Sequence, residues 1–371
     1  MYNFLNKISP DHFEAICALA QMEMLEAGYA GVVEFHYLHN DLSGIRYHNI
    51  SEMSQRVINA SNKSGIGLTL LPVLYEQSGV KGGNLISGQD RFGLKLCEFN
   101  KLIEEVISLE NKKGDFHIGV AAHSLRAVKK ISLKELSKNF LNYPTHIHVA
   151  EQMKEVSEIY SAWSKRPIEW MVENLDLNEK WCLIHCTQMH DYEAKLLAKS
   201  GAVIGLCPIT EANLGDGIFN GRNWLKEGGK FGIGTDSNIK ISLFEELRTL
   251  EYSQRLKYKS RIVLKTANKY TIGRSLIESV LEGGMLASGR KTGKIQKGYW
   301  ADILALDLTS FDYFDLNDNE KLDYLIFSEK DVVIDSVFSA GRLLVKNGKH
   351  INKKKIITNY KLALHEILKK L

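Results

Sequence analysis

Cysteine is scarce in this chain, with five residues in 371, at Cys17, Cys97, Cys182, Cys186 and Cys207. An odd, scattered set provides no disulfide framework. The Cys182–Cys186 spacing has no second pair, which argues against a structural zinc knuckle. Reduced thiols of a cytoplasmic protein are the expectation. Charge of one sign is lacking too: 48 basic against 44 acidic side chains leave +4. That excludes the strongly basic face expected of a nucleic-acid partner. The run Lys353-Lys354-Lys355 reads as a solvated turn. No stretch approaches the roughly 18 apolar residues of a membrane span, and the first residues lack a signal peptide's apolar core. The 44% hydrophobic and 25% charged residues that are there suit an ordinary globular protein.

Helical periodicity alternates with short apolar runs. Ser9-Pro10-Asp11 caps a helix that Gly28 stops. Further helices are expected around 52–63, 91–110 and 275–287. Strands are expected at about 30–37, 67–75, 116–122, 145–150, 181–185, 202–207 and 231–235. Their nearly unbroken apolar character fits parallel strands covered on both faces. Strands alternating with helices leave two architectures, a barrel or an open doubly wound sheet. The polar residues favour the barrel. Tyr37, Tyr75, His123, His148, His185, Cys207 and Asp236 all fall at or just past strand ends, which a barrel gathers at one mouth. A closed barrel needs eight strands, and seven are legible. Beyond residue 290, the segments 292–308 and 332–348 resemble antiparallel strands with Gly turns, and 360–371 reads as an amphipathic helix. The predicted organisation is a barrel over 1–290, a partial β-sandwich over 291–350 and a C-terminal helix over 351–371.

His146-Ile147-His148-Val149-Ala150-Glu151 is the most informative stretch. Alternation puts both histidines on one strand face, with Glu151 just past the strand end. A lone strand histidine is usually a packed core residue. Here His185 ends the next strand, and Asp236 ends the last one in Gly234-Thr235-Asp236-Ser237. Imidazoles and a carboxylate converging on one mouth suit a zinc-type ion, with an unligated glutamate as proton shuttle.

These residues, together with Glu34-Phe35-His36-Tyr37, His123-Ser124-Leu125-Arg126-Ala127-Val128 and the run from Thr210 to Phe219, resemble the amidohydrolase superfamily of metal-dependent (β/α)8 hydrolases. Within it they resemble the formimidoylglutamate deiminases of histidine degradation. The resemblance implies His148 and Asp236 as metal ligands and His185 as a possible third. It implies Glu151, His185 and Asp236 as catalytic residues, with Glu151 carrying the proton from the attacking water to the departing nitrogen. Tyr37, His123 and Arg126 would hold a carboxylate of N-formimidoyl-L-glutamate, for which a planar guanidinium is suited. Read without the resemblance, Arg126 fits a surface ion pair equally well. For Glu211 and Asp216, in a Gly-rich loop, the choice lies between turn geometry and substrate gating. Implied companions are zinc, a small-molecule substrate and a homodimer, with no nucleic acid and no membrane.

The sequence departs from the superfamily in having no His-x-His before its first helix. His36 and His39 are the nearest spare imidazoles, but they belong to the second strand of the family pattern and its loop. Weak metal binding, or none, is therefore expected of the chain as written, and its competence as a deiminase is open. Asn238 stands where the deiminases carry histidine. The alternatives are an aminohydrolase of a guanine-like ring and an inactive remnant of the fold.

Overall fold

The computed structural model describes residues 2–86, 88–110, 115–266, 269–308, 315–328 and 334–370, without the side chains of Tyr2 and Asn3. The strands in chain order are β1 (Gly31–His36), β2 (Gly67–Leu74), β3 (Phe116–Ile118), β4 (Val120–Ser124), β5 (Thr145–Val149), β6 (Trp181–His185), β7 (Val203–Leu206) and β8 (Lys230–Ile233). They make one curled parallel sheet in the order β1-β2-β4-β5-β6-β7-β8, with β3 also pairing β2. The seven expected strands are present, at boundaries shifted by a residue or two. The expected strand over 116–122 is divided. Leu68, Thr69 and Leu70 of β2 pair with β3, whereas Val73 and Leu74 pair with β4. The change of partner falls at Pro72, which has no N–H for a ladder, opposite the break at Gly119.

Helices cover the outside of the sheet. Ser9 caps the helix Pro10–Glu26 in a reciprocal arrangement with His12. The expected 91–110 helix begins only at Leu96. Residues 91–95 instead form turns, in which Leu94 N–H donates to the Tyr75 carbonyl. The helix Ile272–Ser288 packs backbone to backbone on β8. A Cβ on Gly283 would stand 1.9 Å from the Phe231 carbonyl oxygen, so no other residue fits there.

Alternation along the strands separates two apolar layers. Leu68, Leu70, Leu74, Ala122, Ile147, Val149, Leu183 and Leu206 face the helices in the main core. Val33, Phe35, Tyr37, Leu71, Val73 and Ala121 form a smaller interior cluster. Cys182, Ile184, Cys207 and Ala287 form another, also touching Phe35. The second layer is the inside of the curl, and its upper end is where the polar residues gather.

After the helix Ile272–Ser288, strands β9 (Ile303–Leu306), β10 (Ile334–Ser339), β11 (Arg342–Lys346) and β12 (Lys349–His350) form an antiparallel sheet in the order β12-β11-β10-β9. Residues 332 and 333 of the expected 332–348 segment, and Leu371, lie outside the described residues. The last helix spans Lys353–Leu368 and starts earlier than expected. The Lys353-Lys354-Lys355 run is thus its first turn, not a solvated loop. Lys353 Nζ meets Glu26 Oε2 at 2.7 Å, and His12 Nε2 meets Glu366 Oε2 at 2.9 Å, docking this helix on the first long one. No helix among the described residues is long and apolar enough to cross a membrane.

Candidate active site

His148, on β5, faces the inside of the curl. Its Nδ1 donates to the His123 carbonyl at 2.9 Å, so Nε2 is left as the lone-pair nitrogen at the mouth. Tyr37 approaches that nitrogen with its hydroxyl at 3.4 Å, and Phe35 lies 4.5 Å from the His148 ring, centroid to centroid. Burial, with His123 and His185 nearby, holds His148 well below the usual imidazole range, so it is neutral and available as a ligand.

His185 closes β6. Alternation alone would send it to the helix side with Leu183, but its φ is +70°. That turn brings it to the mouth, where its ring centroid is 5.8 Å from that of His148. Nδ1 donates to Glu211 Oε1 at 3.2 Å, and Nε2 stands 3.9 Å from Glu151 Oε1. Burial pulls this imidazole down, but Glu211 and then Glu151 and Asp236 push it up, and the net direction is upward.

Glu151 follows β5 in a turn where Ala150 has φ +51°. Glu155, 2% exposed, holds that turn by accepting both the Ala150 and Glu151 amides at 3.1 Å. Burial raises the Glu151 carboxyl, opposed by His185 and reinforced by Asp216 and Asp236. Asp236 lies beyond β8, open to solvent at the mouth, with φ +52°. Its carboxyl is also raised, by the surrounding walls and Asp216 and against His185. Five of the nine non-glycine residues with left-handed backbone among the described residues, Ala150, His185, Cys186, Asp236 and Asn238, lie at the ends of β5, β6 and β8; the others are Ser164, Lys259, Ala340 and Asn347. Strain concentrated this way is characteristic of a functional mouth.

Tyr37, His123 and Arg126 share the mouth with the acidic residues, Arg126 acting on both His123 and Glu151 and the Tyr37 hydroxyl feeling Asp236 and Glu151. His123 lies within β4, not beyond it, with its ring 4.7 Å from Tyr75 and 5.8 Å from Tyr37, centroid to centroid. Burial and then Arg126 lower it to about 4, so it is neutral. The Arg126 Nε is buried without a hydrogen-bond partner among the described residues, which sets aside a surface ion pair.

His36 and His39 do not join the mouth. His36 lies behind the sheet against Phe13, and His39 donates to the Val73 carbonyl at 2.9 Å. His146 sits lower in the curl, held to the Ala287 carbonyl at 2.8 Å. Cys207 is buried, with its amide on Glu211 Oε1 at 2.9 Å. Asn238 folds back on Thr235 through its side-chain oxygen.

Glu211 corrects the sequence reading. It lies on the short helix Pro208–Leu214, not in a loop, and it orients His185. Glu155 carried no signal except its spacing four residues after Glu151.

The donor set fits a zinc-type ion in kind, since both imidazoles present Nε2 with Nδ1 fixed by an outer partner. It falls short in number. Among the described residues, no three His, Cys, Asp or Glu side chains stand close enough to cage an ion.

Comparison with known proteins shows the family and the fold. The pattern described as the amidohydrolase family matches residues 1–344. The formimidoylglutamate deiminase of Pseudomonas aeruginosa is 39% identical over 370 residues, 99% of this chain and 81% of that protein. A 5-methylthioadenosine/S-adenosylhomocysteine deaminase of Clostridium tetani is 29% identical over 70% of this chain and 60% of its own length. An amidohydrolase from Brucella melitensis, solved by crystallography, superposes with a TM-score of 0.95 at 42% identity, covering 99% of this chain and 81% of that one. A zinc complex of atrazine chlorohydrolase from Arthrobacter aurescens shares the fold, with a TM-score of 0.79 at 18% identity over 96% of this chain and 78% of that one.

Proposed function

This chain belongs to the amidohydrolase family, and within it we propose that it is a deiminase, converting N-formimidoyl-L-glutamate and water to N-formyl-L-glutamate and ammonia. The observation that carries this reading is an acid–imidazole couple sharing one mouth with a guanidinium. Glu151 and His185 meet at 3.9 Å, and Arg126, whose Nε has no partner among the described residues, lies near enough to act on both His123 and Glu151.

Arg126 takes a carboxylate of the substrate in a bidentate grip, with Tyr37 as an added hydroxyl donor. That anchors the formimidoyl carbon over Glu151. Glu151 draws a proton from the attacking water and delivers it to the terminal nitrogen, so the C–O bond forms and the C–N bond breaks with loss of ammonia. His185 donates to the oxygen as it gains negative charge. His148 Nε2 and the Asp236 carboxylate are the donors that a divalent metal would find here, fewer than a cage needs, while His185, with Nδ1 on Glu211, keeps Nε2 for its hydrogen bond. When bound, a metal would polarise the reacting centre and lower the pKa of water. No step above depends on which metal that is.

Ammonia release from N-formimidoyl-L-glutamate, compared with guanine and adenosine derivatives, tests the substrate. Release from the linear amidine is expected. Preference for a ring would replace this reading with that of the purine-type relatives, and the metal content of the same preparation tests the donor assignment.

A further inference from the structure

Asp216 takes no part in the steps above, yet it is only 6% exposed, and its Oδ2 is buried without a partner among the described residues. The rest of the residue is firmly held. Oδ1 accepts from Gln152 Nε2 at 2.8 Å. The carbonyl accepts from Gln188 Nε2, which also donates to the Glu151 carbonyl at 3.3 Å. Gly215 and Gly217, with φ of +71° and +116°, give the chain the left-handed turns that tuck the residue inward. Asp216 is thereby fastened beside Glu151, and its charge raises the carboxyls of both Glu151 and Asp236.

A buried carboxylate oxygen left unpaired is costly, and an arrangement this well held calls for a donor from outside the chain. The mouth already has an excess of negative charge on this side, in Glu151, Asp216 and Asp236. The missing donor is therefore a cation. A formimidoyl group is an amidinium at neutral pH, planar and rich in N–H, whereas the formyl group it becomes is neutral.

Resting on the deiminase reading of this site, we infer that Asp216 is the specificity-determining residue for the substrate's cationic end: its free Oδ2 accepts an amidinium N–H and discriminates against the neutral amide. Asp216 transfers no proton. It favours the charged substrate over the uncharged product, so it aids release after the C–N bond breaks.

The test is a matched pair of glutamate ligands, N-carbamimidoyl-L-glutamate, a guanidinium, and N-carbamoyl-L-glutamate, its neutral urea isostere. Calorimetric Kd values for both are measured on the wild type, Asp216→Asn and Asp216→Glu. Asp216→Asn keeps the oxygen that accepts from Gln152 but removes the charge and turns the free Oδ2 into an NH2 donor, which cannot accept an amidinium N–H. The wild type should prefer the guanidinium, and Asp216→Asn should cut that preference about tenfold or more while leaving urea binding within about twofold. Asp216→Glu should restore part of it. A guanidinium-to-urea ratio unchanged in Asp216→Asn overturns the inference, as does an equal loss for both ligands. Should the wild type bind neither glutamate derivative, the substrate reading fails by itself. Acetamidine against acetamide then reads the acidic pocket alone, and a pair insensitive to Asp216→Asn sinks the inference too.

Discussion

The strands β5 and β1 each carry a histidine near their upper ends, and the two have opposite fates. His148 faces inward, has one ring nitrogen tied to a carbonyl and offers the other to the mouth. His36 faces the helices, 1% exposed, with neither nitrogen bonded among the described residues. One step of the two-residue strand period separates them. A histidine at the end of a barrel strand thus reaches the mouth by the right parity, as His148 does, or by a left-handed turn that reverses it, as His185 does. A second partner fixing its tautomer marks it as part of the chemistry.

Breaking the inward set should have the largest effect. Glu151→Gln keeps the shape and removes the proton carrier, and kcat should fall by about 10²–10⁴ with KM little changed, read by ammonia release. Glu211→Gln should cost about 10–100-fold in activity by releasing His185, with the fold intact by circular dichroism. If Glu211 is replaced without loss, the orienting role falls. The outward set should behave differently. His36→Leu removes an unsatisfied buried ring, and chemical denaturation should show a stability unchanged or raised by about 1 kcal/mol, with activity retained. A large loss of activity in that variant would erase the distinction between the two histidines.

A change that pH alone reveals, with activity untouched, concerns Glu34, also on the outer face of β1. Burial raises its carboxyl from 4.5 to about 7, opposed by hydrogen bonds from Gln21 and Cys17. The folded state therefore holds a proton that the unfolded chain releases, and stability should decline as pH rises from 4.5 to about 7. Glu34→Gln should flatten that slope in denaturation curves taken across the window.

Much of the architecture was legible because its signals are local. Unbroken apolar runs such as Gly67–Leu74 reveal parallel strands, and Ser9-Pro10 announces a helix start. The division at Gly119 was not legible, since it depends on which neighbour β2 pairs with on each side of Pro72. Tyr37, His123, His148, His185 and Asp236 were named from their positions at strand ends, and Arg126 and the role of each residue came from the family resemblance. Their supports were not legible, because Glu155 and Glu211 look in sequence like any helical glutamate. Only the folded chain shows one holding the Glu151 turn and the other the His185 ring.

Composition, period and the His146–Glu151 stretch by themselves determined a parallel strand-helix protein with ionisable groups at its strand ends, because strand period and helix period are properties of neighbouring residues. Tertiary structure alone decided which of those groups meet. His185 reaches Glu151 only through a left-handed backbone that no glycine announces, and such strain persists only where packing from distant segments holds it.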